Sequence, residues 1–338
     1  MRIQPIPGGL RVLAPAKLNL HLAVGGLLPG GFHEIDSLFH AVTLHDELEL
    51  ILRDDGEVHL EEEGIAAGEK NLVFQAARKL RESGLRSLQG HPGATIRLKK
   101  RIPQGAGLGG GSSDAAAALV ALALLWRIPV ERDRLSALAA ELGSDVPFFF
   151  VGGTARCRGR GEHVESWNVP DSQFEPLHFV LACPRIPVAT RSAYAWLDAA
   201  RGPDFALTHP SPLDSMRPAS LQLPLGCGKV FRNDFQEVVF SRVPELRRIH
   251  AVLSRELLTR VLLTGSGSAM FGLSSGPEEA EAAVRRLRAR LEVDHVDLFV
   301  VSSERPHDGS GLSGSGSLEG SGSLENRART EEGPVSAP

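Results

Sequence analysis

The chain has 338 residues, enough for two domains of ordinary size, with 42% hydrophobic residues, 23% charged residues and a formal net charge of −4. That balance excludes a strongly basic chain aimed at nucleic acid or an anionic membrane. The three cysteines, Cys157, Cys183 and Cys227, lack metal-ligand spacing and read as buried or idle thiols rather than a disulfide framework.

The opening "MRIQPIPGGLRVLAPAKLNL" has no apolar core fit for a signal peptide. No segment has the uninterrupted apolar length of a membrane span, so a cytoplasmic protein is expected. "LRVLAPAKLNLHLAVGG" predicts a strand broken at Pro15, and "ELELILR" alternates as a half-buried strand should. "NLVFQAARKLRESG" carries Leu72, Ala76 and Leu80 at helical spacing, with Gly84 as its stop. "GATIRLKKRIP" predicts a strand, followed by a glycine loop and a long apolar helix. "VERDRLSALAAELGSD" predicts a short amphipathic helix, and "VPFFFVGGTARCRGRGE" predicts strand, turn, strand.

A second region opens with the strand "HFVLACP". A Pro/Ser-rich loop around "THPSPLDSMRPASLQLP" and the helix "VPELRRIHAVLSRELL" follow. From Thr259 to Ser303 the pattern is strand, tight turn, strand, helix, strand. That helix starts at Pro277 with Glu278 and Glu279 and ends in arginines, matching its dipole at both ends. This is half of a ferredoxin-like sandwich and predicts an α+β fold. Beyond about Pro306 the chain turns Gly/Ser-rich, with the tandem repeat "GSGSLEGSGSLE". Such a segment buries too little apolar surface to offset its ordering entropy and is expected to be a flexible tail over 306–338.

The stretch "GAGLGGGSSDAAAALVALALLW" sets five glycines within Gly105–Gly111 directly against a strong helix former. A dinucleotide fingerprint wants an acidic residue ending a second strand about 20 residues on, where this chain has apolar helix. A Walker A loop needs Gly-Lys-Ser/Thr, and this loop ends Gly111-Ser112-Ser113. A plain connector with Ser113 as helix cap explains one serine but not five glycines. The free amides and partial positive charge of a helix N-terminus, reached closely because glycine has no Cβ, suit a polyphosphate.

With these residues in view, "PQGAGLGGGSSDAA" resembles the second motif of the GHMP kinases. "APAKLNLHL", "GFHEIDSLF", "LGSDVPFF" and "LTGSGSAMFG" fall in the family's order, from about Ala14 to Ser302. The resemblance implies an N-terminal nucleotide-binding α/β domain over 1–170 and a C-terminal ferredoxin-like α+β domain over 171–305. It also implies a small-molecule kinase using ATP, with Mg²⁺ expected to screen the phosphates. Within the family the motifs come nearest to members whose acceptor is a polyol carrying a cytidine diphosphate. The alternatives are another small alcohol, such as mevalonate or homoserine, and a nucleotide-binding regulator without catalysis.

Residue by residue, Pro103, Gln104, Gly105, Ala106, Gly107, Leu108, Gly109, Gly110, Gly111, Ser112 and Ser113 would hold the ATP phosphates. Asp145 serves by spacing alone as a turn residue after Gly143 or as a base; the resemblance makes it the acceptor of the hydroxyl proton. Lys17 and Asn19 share one face of a strand. A strand lysine is ordinarily solvated; the resemblance puts Lys17 beside the aspartate and lets Asn19 orient the acceptor. Asn71 is a helix cap by position and, by resemblance, faces the adenine. Lys100 is an ordinary strand charge that the resemblance brings near the nucleotide.

The family pattern reads Gly-Tyr-His where this chain has Gly31-Phe32-His33, and an aromatic stacks on a pyrimidine with or without a hydroxyl. His33 would bond the cytosine edge. Tyr194, four residues after Thr190 on a helix, would close the base's other face; ordinary packing serves Phe32 and Tyr194 equally well. Thr264, Gly265, Ser266 and Gly267 form a tight turn whose backbone would line the acceptor's phosphate or polyol end. The metal ligands are not fixed, with Ser112 or Ser113 as candidates.

Overall fold

The computed structural model describes residues 1–62, 68–84, 92–129, 131–202, 211–216, 231–257, 259–291 and 295–306. The expected tail beyond Pro306, most of the Pro/Ser-rich loop and Cys227 lie outside them.

The first sheet is built on two long strands, β2 (Gly9–Leu27) and β3 (His33–Arg53). With β1 (Arg2–Ile6), β4 (Val58–Glu62) and β5 (Gly93–Lys99) they run in the order β1-β2-β3-β5-β4. The strand β3 pairs twice along one edge. Its later half meets β5, and its earlier half meets β6 (Thr154–Gly159), which continues to β7 (His163–Ser166). Pro15 does not break β2 as expected. The strand continues through it with a register shift between Pro15 and Ala16, which accommodates the missing donor as a bulge.

Helices α1 (Leu72–Gly84), α2 (Gly110–Leu125) and α3 (Arg132–Leu142) pack together, with α2 against β2 and β3. Ser113 through Ala123 of α2 are all buried, so an all-round apolar helix forms the centre of this layer. The expected strand at "VPFFF" is instead a short helix, α4 (Phe148–Val151). Pro147 already has helical backbone angles, and Gly152 ends the turn with φ at 62°. An apolar run this short suits either structure, and here the flanking residues decide it.

The second sheet has the order β11-β8-β10-β9, all neighbours antiparallel, from β8 (His178–Pro184), β9 (Val261–Leu263), β10 (Met270–Ser274) and β11 (Val296–Ser302). Helices α5 (Thr190–Arg201), α6 (Gln236–Arg242), α7 (Pro244–Leu257) and α8 (Pro277–Arg288) supply its cover. This is the ferredoxin-like pattern expected from the sequence.

The strand β8 shows why its sequence is apolar throughout. Val180 and Ala182 enter the core under the helices, whereas Phe179, Leu181 and Cys183 enter a second core. That second core also takes Ala16, Leu18, Leu20 and Leu38 from the first sheet and Leu262 and Phe271 from the second. Two sheets thus close on one apolar layer, and the loops that carry the motifs meet at its margin.

Candidate active site

The glycine loop crosses from β5 to α2. Its alternate residues are pinned: Ala106 and Leu108 bury their side chains in the core shared by the sheets. The Ala106 carbonyl accepts from the Ala269 amide at 3.1 Å, and the Leu108 carbonyl accepts from the Lys17 amide at 2.9 Å. The loop carbonyls at these two positions are therefore turned into the protein. The first α2 bond runs from the Ser113 amide to the Gly109 carbonyl, 2.9 Å, so the amides of Gly110, Gly111 and Ser112 precede the helical ladder. Gly111 is exposed and Gly109, Gly110 and Ser112 are half-buried. Ser113 does not cap the helix, since Gly109 holds that place; among the described residues its buried hydroxyl has no hydrogen-bond partner.

Glycine is required at two of these positions. Gly107 has φ +83°, and a Cβ there would lie 2.2 Å from the Thr264 carbonyl oxygen. Gly109 has φ +71°, and its Cβ would lie 3.0 Å from Lys17 Cγ and 3.1 Å from Phe149. The first contact joins the glycine loop to the Thr264–Gly267 turn of the second sheet. The second seats Lys17 against the start of α2.

Lys17 is buried, and its ammonium donates to Asn19 Oδ1 at 2.7 Å. It lies 3.6 Å from Asp145 Oδ2 and 4.6 Å from the centroid of Phe39. The expected shared face of Lys17 and Asn19 is present. Asn19 Oδ1 also accepts from the Thr264 hydroxyl at 3.1 Å and the Gly265 amide at 2.8 Å, while its Nδ2 donates to Ser37. Asp145 leaves α3 through Gly143, whose Cβ position is 3.9 Å from Ser112 Oγ. Its carboxylate is 31% exposed, so it is wetter than an apolar pocket would make it.

Other expected residues fall into place differently. Asn71 caps α1, its Oδ1 accepting from the Val73 amide at 2.9 Å, and its Nδ2 donates to Glu62. Lys100 is already bound on both sides, donating to Asp46 and, at 2.6 Å, to Asp114. Among the described residues the rings of Phe32 and Tyr194 take different partners. Phe32 is 50% exposed under the Arg160 guanidinium, 4.9 Å from its ring centroid. His33 instead stacks on Tyr194, centroids 4.6 Å apart and planes at 18°, and bonds Asp198 at 2.8 Å. Burial, reinforced by the charges of Asp145 and Asp198, pushes the Tyr194 phenol up to about 12, so it stays neutral. Thr190 reaches Ser266 across 3.1 Å, linking α5 to the tight turn.

Sequence reasoning missed Asp46, Asp114, Ser37, Asp198 and Asn233. Asn233 Nδ2 donates to the carbonyls of Leu263 and Gly265 and so fixes the turn. Asp114 and Ser37 stood inside quoted motifs without being singled out; Asp46, Asp198 and Asn233 act across long sequence separations.

The sequence matches the profile of the GHMP kinases N terminal domain over residues 71–153 and that of the GHMP kinases C terminal domain over 224–293. A 4-diphosphocytidyl-2-C-methyl-D-erythritol kinase of Prochlorococcus marinus is 37% identical over 298 residues, covering 86% of this chain and 92% of that protein. The Deinococcus radiodurans protein of the same name is 40% identical over 293 residues, again covering 86% and 92%. A crystal structure of a 4-(cytidine 5'-diphospho)-2C-methyl-D-erythritol kinase superposes with TM-score 0.68 at 35% identity, over 87% of this chain and 99% of that one. A homoserine kinase from Cytophaga hutchinsonii shares the fold, at TM-score 0.63 and 19% identity over 90% of this chain and 98% of that one. With relatives this similar spanning most of its length, the chain belongs to the GHMP kinase family.

Proposed function

We propose that the chain transfers the γ-phosphoryl group of ATP to the 2-hydroxyl of 4-diphosphocytidyl-2-C-methyl-D-erythritol, a step of non-mevalonate isoprenoid precursor synthesis. The relatives named above support that substrate. The observation that carries the chemistry is the meeting of Lys17, Asp145 and the α2 N-terminus, with Lys17 against Gly109 and the Asp145 loop against Ser112.

Phosphoryl transfer needs positioning and charge neutralisation more than covalent chemistry. The amides ahead of the α2 ladder grip the phosphates. Asp145 accepts the proton of the attacking hydroxyl, and the oxygen so freed forms its bond to the γ-phosphorus as the bond to ADP breaks. Lys17, 3.6 Å from Asp145 Oδ2, offsets charge that builds on the transferring group. Asn19, held by Lys17, Thr264 and Gly265, orients the acceptor. Among the described residues no group of three or more His, Cys, Asp or Glu forms a metal cage. The partnerless Ser113 hydroxyl and Ser112, with the Asp145 carboxylate, would hold a Mg²⁺ brought in on ATP, which would screen the phosphate charge.

His33 and Tyr194 form the cytosine end, with Phe32 at its open side, and Thr264–Gly267 with Thr190 line the diphosphate and polyol. Asn71 faces the adenine. Residues 1–170 and 171–305 are the nucleotide-binding and acceptor-binding parts, in a cytoplasmic enzyme. The test is ADP release from ATP and Mg²⁺ with a panel of alcohols, with and without the cytidyl group, in wild type and Asp145→Asn. Turnover restricted to the cytidyl alcohol and lost in Asp145→Asn is expected. Equal turnover of mevalonate or homoserine would reassign the acceptor, and normal turnover in Asp145→Asn would remove the base.

A further inference from the structure

We infer that Asp46, Lys100 and Asp114 form an ionic clamp across the neck of the glycine loop, and that Lys100 acts on ATP by positioning that loop rather than by touching the nucleotide. The inference rests on the reading of Gly105–Ser113 as the phosphate loop, and not on the identity of the acceptor.

The three groups come from both sides of the loop. Asp46 lies on β3 with its side chain fully buried. Its Oδ1 accepts from the amides of Arg101 and Ile102, the latter at 2.8 Å, which are the residues that lead into the loop. Its Oδ2 accepts from Lys100, at the exit of β5. The same ammonium crosses at 2.6 Å to Oδ2 of Asp114, one turn inside α2. The strand exit and the helix start are therefore tied through one cation, and the loop is strung between them.

Packing at the neck is equally close. A Cβ on Gly110 would lie 3.0 Å from Ile102 Cγ2 and 3.3 Å from Asp46 Oδ2. Small changes in the separation of strand and helix would re-aim the amides of Gly110, Gly111 and Ser112, whose value as an anion site is geometric. Lys100 has two buried carboxylates as partners, and its side chain is only 12% exposed. An ammonium so engaged has little freedom to follow a ligand. An asparagine in place of Asp114 keeps the shape and an oxygen that accepts from Lys100.

The experiment measures Mg-ADP affinity by calorimetry in wild type, Asp114→Ala and Asp114→Asn, with KM for ATP and for the cytidyl alcohol read separately. Asp114→Ala leaves Lys100 paired with Asp46 and cuts only the tie to α2. It is expected to weaken ADP binding and raise the KM for ATP by about tenfold or more, with the alcohol KM unchanged. Asp114→Asn should restore both to within about threefold, because its carbonyl still accepts from Lys100. A nucleotide-contacting Lys100 makes the opposite prediction. Removing Asp114 would release the ammonium from one of its two carboxylates toward the nucleotide, and ADP would bind as well or better in Asp114→Ala; that result overturns the clamp. A rise of both KM values together, tracking a lowered melting temperature, also overturns it. Should Asp114→Ala fail to fold, Asp46→Asn replaces it. An amide there cannot serve the two backbone donors and Lys100 in the same way, and the same selective loss for ADP is expected. Wild type that binds no ADP would defeat the phosphate-loop reading itself. Wild type that binds ADP but ignores the cytidyl alcohol would defeat only the acceptor.

Discussion

Substitution Lys17→Met tests the central electrostatic arrangement with little disturbance of packing. Methionine keeps an unbranched apolar stem of similar length against Gly109 and Phe39, where Lys17 now lies. What it removes is a cation 3.6 Å from Asp145 and 2.7 Å from Asn19 Oδ1. At that separation Coulomb's law gives about 4–5 kcal/mol for an effective dielectric of about 20 and about 1 kcal/mol in water. Lys17 is enclosed but Asp145 is 31% exposed, so the pair lies between these limits, at about 2–4 kcal/mol. If that attraction is expressed in the transition state, kcat falls by about 30- to 1,000-fold. The assay is ADP release at saturating ATP and cytidyl alcohol, with Mg-ADP affinity as the control for the loop. A kcat within about threefold of wild type, at unchanged ADP affinity, would refute the assignment of Lys17 to the reacting centre.

Gly107→Ala forces a Cβ to within 2.2 Å of the Thr264 carbonyl from a backbone at φ +83°; a loss of about 2–4 kcal/mol in chemical denaturation is expected, with a raised KM for ATP. Tyr194→Ala should raise the KM for the cytidyl alcohol by about 10- to 100-fold at unchanged KM for ATP, and Tyr194→Phe should stay near wild type. His40, buried between the hydroxyls of Thr154 and Ser303, is pushed down by burial from 6.5 to about 4. The unfolded chain then binds the extra proton between those values. Stability is whole above 6.5 and falls as pH drops toward 4, by about 3 kcal/mol for this group; urea melts across that window should show a shallower loss in His40→Gln.

The motifs were legible because each is local. Five glycines before an alanine-rich helix announce an anion site in one short stretch, and Lys17 and Asn19 reveal a shared face by strand alternation. The partners that hold these residues were not legible. Asp46 directly precedes the alternating stretch "ELELILR", where nothing local marks it, yet it reaches 54 positions along the chain to Lys100. Asp114 follows two serines and reads as a helix-start acid, and only the packed structure shows it facing Lys100. His33 and Phe32 are neighbours whose side chains part ways, one to Tyr194 and one to Arg160, a divergence that no periodicity records. The phenylalanine run failed for a different reason, since three apolar residues carry no period.

The apolar layer between the two sheets has a consequence for how the enzyme comes into being. Lys17 is supplied by the first sheet, yet the turn that steadies its companion Asn19 is supplied by the second, about 245 residues later in translation. A ribosome-bound chain that has finished only its leading half therefore lacks the turn that holds Asn19 and leaves its side of the apolar layer uncovered. Asn19 gains these partners only when the trailing strands dock.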